Sequence, residues 1–184
     1  MKRRKFIERS TLAGIGWLSG ALQGQPTHPL PATGASRARV VIAESKNGSD
    51  NVDPAQVSVM IDRAIEALFS QKSTQVWQRL FSPRDVVGLK VNCLAGRGLS
   101  TRQEVVSAVI ERLRRVGVPA HQIIIWDRRD LDLEKAGYRI TVGGETVQCL
   151  GNDRAGFTET VYEWGAAASQ LSNTLLKCTA IINL

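Results

Sequence analysis

Three short apolar runs punctuate the chain after residue 85: 86-VVGLKVN-92, 122-QIIIWD-127 and 178-CTAIINL-184. The second of these has almost no polar alternation, as expected for a strand covered on both faces. Between the first two lies a segment with helical period. Val105, Val106, Val109, Ile110, Leu113 and Val116 fall on one stripe. Thr101-x-x-Glu104 before it has the spacing of a capping box, with Ser100 as an alternative cap. Arg112, Arg114 and Arg115 fall in its last turn, where cations oppose the helix dipole, and Gly117 and Pro119 end it.

The other elements follow the same logic. The run 39-RVVIAES-45 predicts a strand. Asp53-Pro54 predicts a helix start, with Val57, Ile61, Ala64, Ile65 and Leu68 as its inner face. A second helical piece is expected near 73–80, ended by Pro83, and a short helix near 130–136, ended by Gly137. Gly143-Gly144 sits between two strand-like arms and predicts a β-hairpin over 138–151. Residues 152–165 read as irregular, and the alanine-rich stretch 166–177 as a helix. The alternation of strands and helices predicts an α/β fold: a parallel or mostly parallel sheet with helices on both faces and a hairpin insertion. The fourth apolar run has no polar tail after it. Residues 36–184 are therefore expected to be the N-terminal part of an α/β domain that is incomplete at its C-terminus.

Charge changes the picture less than its total suggests. The 184-residue chain carries a net +7. Residues 1–35 hold five of the basic residues against Glu8 alone, a net +4, which leaves +3 on residues 36–184. There the basic residues are interleaved with acidic ones, without the basic patch and aromatics of a nucleic-acid surface. Three well-separated cysteines, Cys93, Cys149 and Cys178, include no C-x-x-C pair. This spacing argues against an iron-sulfur cluster or zinc ribbon within the chain.

The first residues, MKRRKFIERS, resemble a twin-arginine (Tat) export signal, with Arg3, Arg4 and Phe6 matching its core. The apolar stretch 11–22 is too short for a membrane span of about twenty residues, and residues 23–38 read as a polar, proline-containing spacer. Residues 1–35 are thus expected to be signal and spacer. The resemblance implies export to the periplasm or cell envelope, with the Tat translocase as partner. That route moves folded proteins and is often used for cofactor-bearing ones. It names no cofactor here.

Candidate chemistry concentrates in 87-VGLKVNCLAGRGLST-101. A P-loop would need a lysine beside the helix start, but Lys90 precedes the glycines, and Gly96-x-Gly98-x-x-Thr101 lacks the third glycine of a dinucleotide fingerprint. Position supplies another reading. Ligands of open α/β sheets bind outside the carboxyl ends of strands. Lys90, Asn92 and Cys93 fall at the end of one strand, Asp127 at the end of the next, and Asn183 near the end of the fourth. The loop 93–100, which contains Gly96 and Gly98, leads to a helix start at Ser100 and Thr101 whose free N–H groups can hold an anion. Lys90, Asn92, Gly96, Gly98, Ser100, Thr101 and Asp127 are the candidate ligand-binding residues. Asp127 could ligate a metal, act as a base, or fix Lys90. No residue is singled out as catalytic. His121 reads as a surface residue in a connection, and Trp126, Tyr162 and Trp164 as core or interface residues.

The segments 88–119, 123–140 and 178–184, taken in order and together with the leader, resemble the Tat-exported branch of the family named domain of unknown function 362. The resemblance implies a domain that continues past the fourth strand, and no established activity. Three functional readings stay open: a cofactor- or metal-dependent, redox enzyme with its site at the carboxyl edge of the sheet; a non-catalytic envelope module that binds a small anion; or a fragment inactive alone.

Overall fold

The computed structural model describes residues 39–45 and 52–184. The leader, with Arg3, Arg4 and Phe6, lies outside the described residues. Asp53 and Pro54 open helix α1 (Pro54–Phe69), the Asp53 side chain accepting from the Ala55 amide at 2.9 Å. Helix α2 (Ser73–Leu80) follows. Then come strand β1 (Val87–Lys90), helix α3 (Gln103–Arg115), strand β2 (Ile123–Asp127) and helix α4 (Asp130–Lys135). The remainder is strand β3 (Gln148–Gly151), helix α5 (Asn152–Ala155), strands β4 (Phe157–Trp164) and β5 (Ala167–Ser172), helix α6 (Asn173–Lys177) and strand β6 (Ala180–Asn183).

Four strands make one parallel sheet in the order β3-β2-β1-β6, and β4 and β5 form a separate antiparallel pair. The protein is therefore α/β, with a mostly parallel sheet and a small hairpin. One sheet face carries Val87, Leu89, Val91, Ile123, Ile125 and Cys149, packed with Val106, Val109 and Leu113 of α3, Ile61 and Ile65 of α1 and Trp77 of α2. The other presents Ile124, Trp126 and Leu150 to Ala155 and to Leu175 of α6. Fully burying a Leu or Ile side chain is worth about 1.5–3 kcal/mol, so the stripe on α3 and the apolar runs fix this arrangement.

Four local expectations are corrected. Residues 39–45 are not a strand. Val40 and Ile42 are 78% exposed, and the segment is tied to α1 by Arg39, which donates to the Leu68 carbonyl, and Ser45, which accepts from Gln56. The hairpin over 138–151 reduces to one antiparallel bridge, Thr141 with Cys149. Its glycines do turn the chain in the left-handed region, at φ 73° and 75°, but the second arm joins β2 in parallel register and buries Cys149 and Leu150. Sheet burial outweighs the local turn. The real hairpin is β4–β5, across the stretches read as irregular and helical. Alternating 158-TETVYEW-164 is strand-like, and its alanine-rich partner follows it because helix propensity is a weak prior. The capping box does not form: Arg102 occupies the N-cap without a side-chain bond, and Thr101 is engaged elsewhere.

Candidate functional site

Parallel register places the strand ends side by side. Lys90 lies opposite Trp126 on one side and Asn183 on the other, and Asp127 opposite Gly151. Lys90 Nζ reaches over the end of β1 to Asp127 Oδ1 at 2.8 Å, sits 5.8 Å from the centre of the Trp126 ring, and donates to the Val91 carbonyl. Asp127 has further partners. Its Oδ2 accepts from the Cys93 amide at 2.6 Å, and its Oδ1 also accepts from the Arg128 amide at 2.8 Å. Both oxygens of this buried carboxylate are committed. Of the three roles open to Asp127, the geometry shows the fixing one: it ties Lys90 and the first amide of the loop to the sheet edge.

The loop itself is closed by Asn92 and Thr101. The Asn92 amide donates to Thr101 Oγ1 at 2.9 Å, and the Thr101 amide donates back to the Asn92 carbonyl at 2.9 Å. Thr101 Oγ1 also donates to the Leu184 carbonyl at 3.1 Å, and its carbonyl accepts from the Tyr138 hydroxyl at 2.7 Å. Inside the loop, Gly96 and Gly98 adopt φ 73° and 99°, which favour glycine, and Ser100 Oγ donates to the Gly96 carbonyl. The Asn92 side chain serves the loop, Oδ1 accepting from the Leu94 amide at 3.4 Å.

Beside this loop lies a cavity of about 340 Å³. Arg97, Gly98, Ser100, Thr101, Arg102 and Gln103 contribute to its wall, together with Glu104 and Ala136. Gln103 and Glu104 are the first residues of α3, whose amides have no acceptor within the helix. Among the described residues neither Arg97 nor Arg102 makes an ion pair or side-chain hydrogen bond. Of the candidate residues, Gly98, Ser100 and Thr101 line the cavity. Lys90, Asn92, Gly96 and Asp127 do not; they brace the loop that forms it. Sequence reading missed Arg97 and Arg102. The available signal was their position: two arginines before a helix start stand at the positive end of its dipole, where cations are unfavourable without an anion, unlike the three in the last turn, which stand at the negative end.

The thiols nearby are held protonated. Burial, followed by the charge of Asp127, pushes Cys93 up to about 11, and burial pushes Cys149 up to about 12. All three cysteines are free. His121 lies on the surface with Nδ1 3.0 Å from Glu145. Trp126 is buried against the second sheet face, whereas Tyr162 is 47% exposed on the hairpin. Among the described residues no group of three His, Cys, Asp or Glu is placed to hold a metal ion, and no helix is long and apolar enough to cross a membrane. No family model matches the chain, and the searches of curated proteins and solved structures gave no match.

Proposed function

We propose that the protein binds a small anion at the carboxyl edge of its sheet, in the cavity between the 93–102 loop and the start of α3. One observation carries this reading. Two arginines without ion-pair partners among the described residues flank a cavity whose remaining polar wall is hydroxyls, helix amides, the Gln103 side chain and a single acidic group, Glu104, which leaves the wall net positive. Arginine suits such a site because its planar, weakly hydrated fork matches carboxylate and phosphate oxygens. The braced loop adds preorganisation, which lowers the ordering cost of binding. The enzymatic reading has less support, because the Asp127 carboxylate at the sheet edge is fully occupied and the Cys93 thiol beside it is held protonated. As a further part of the proposal, the protein is a Tat-exported member of the domain of unknown function 362 family that works in the periplasm or cell envelope.

Calorimetric titration with inorganic phosphate tests the binding claim. The wild type should bind, and Arg97→Ala with Arg102→Ala should weaken binding at least about a hundredfold, since each charged hydrogen bond lost is worth about 1.5–3 kcal/mol. Lys90→Ala, which removes one brace of the loop but no group on the cavity wall, should weaken phosphate binding far less than the double variant. Equal affinity in wild type and double variant would remove the site.

A further inference from the structure

A second cavity, of about 330 Å³, lies between α1, α2 and α3, lined by residues of a different character. Arg112 is 4% exposed and fully engaged there. Its Nε and Nη2 donate to Asp62 at 2.9 and 2.7 Å, Nη2 also to the Ser58 carbonyl and Nη1 to the Ala108 carbonyl. Ser73 Oγ donates to Asp62 at 2.6 Å. This ion pair is neutral as a unit and forms a rigid wall. Trp77, 6% exposed and stacked on Phe81 with ring centres 5.4 Å apart, lines the cavity with Val116 and gives it an apolar side. Arg115, also on the rim, is paired with Glu111.

Two charges in the lining are left over. The Lys72 ammonium has no ion pair or hydrogen bond among the described residues. Glu66 uses only Oε1, which accepts from the Ser73 amide at 3.1 Å, and Oε2 has no partner among the described residues. The Thr74 hydroxyl and the Gln78 amide are likewise uncommitted among those residues. A ligand with a negative group alone would meet Glu66, and one with a positive group alone would meet Lys72. A ligand with both, on an apolar body, complements the whole lining.

We propose that this cavity is a site for a small zwitterion with an apolar body, namely a free α-amino acid with an aromatic or branched aliphatic side chain. Lys72 takes the carboxylate, Glu66 takes the ammonium, and the side chain lies against Trp77 and Val116. The site is independent of the anion cavity at the sheet edge. Calorimetry on the full chain tests it with L-phenylalanine, phenethylamine, which lacks the carboxylate, and N-acetyl-L-phenylalanine, which lacks the ammonium. Phenylalanine should bind, and each analogue should bind at least about tenfold more weakly, the loss of one charged contact. Lys72→Ala and Glu66→Gln should each weaken phenylalanine about tenfold while leaving the melting temperature in place, because both side chains are exposed. The Arg97→Ala, Arg102→Ala protein should bind phenylalanine as the wild type does. No heat with phenylalanine at millimolar concentration, equal binding of either analogue, indifference to Lys72→Ala, or loss of binding in the arginine double variant would each overturn the proposal.

Discussion

Asp127→Ala should destabilise the protein far more than Lys90→Ala, although the two residues share one ion pair. The Asp127 side chain is 9% exposed and the Lys90 side chain 31%. Removing the carboxylate strands three donors: the buried Cys93 amide, the part-buried Arg128 amide and the Lys90 ammonium. A buried donor left unsatisfied costs about 1–3 kcal/mol, while Lys90 can turn towards water. The two amides therefore set the loss at about 3 kcal/mol, near the lower end of the range for breaking a buried pair. Removing Lys90 leaves Asp127 with both amides and access to some solvent, so the cost should be about 1 kcal/mol or less, as for partly exposed pairs. Urea unfolding of both single variants and the double variant at pH 7 measures this, and the double-mutant cycle should return a coupling of about 1 kcal/mol. A loss below about 1 kcal/mol for Asp127→Ala, or equal losses for the two single variants, would refute the assignment of Asp127 as the anchor of the loop.

Gly151→Ala should cost about 2 kcal/mol or more by overpacking, because its Cβ would stand 2.3 Å from both the Asp130 amide nitrogen and Asp153 Oδ1; thermal unfolding measures this. Glu104→Gln should tighten phosphate binding several-fold in calorimetry, because it removes the one acidic group on the anion cavity wall. Stability should fall as pH rises from about 9 through 11, since burial raises the Cys93 and Cys149 thiols to about 11 and about 12 in the folded state, so the unfolded chain loses its thiol protons first; urea midpoints across that range check the sign. Replacing Arg3 and Arg4 with Lys should leave the protein in the cytoplasm with its leader attached, as fractionation and immunoblotting would show.

The parallel sheet was legible because its strands are bought by burial: 122-QIIIWD-127 has no exposed face to advertise, and the α3 stripe fits only one packing. The β4–β5 hairpin was not. Its strand signal lies in 158-TETVYEW-164, while its partner 167-AASQLS-172 carries helix formers and becomes a strand only by pairing. At the sheet edge, strand order and parallel direction were enough to bring Lys90 to Asp127. What they could not give was the division of labour. Thr101 has the identity and spacing of a cap, yet long-range bonds to Asn92 and Leu184 claim its hydroxyl. Arg97 and Arg102 acquire meaning only when the loop folds back beside α3 and encloses a cavity.

The most direct test of the central claim is an amide chemical-shift titration of the ¹⁵N-labelled protein with inorganic phosphate. If the cavity beside α3 holds the anion, the largest saturating shifts fall on the amides of Gly98, Gln103 and Glu104 and on the Arg97 and Arg102 side chains, with the amides of Lys72 and Thr74 unmoved. Saturating shifts centred elsewhere, or none at all, would contradict that claim.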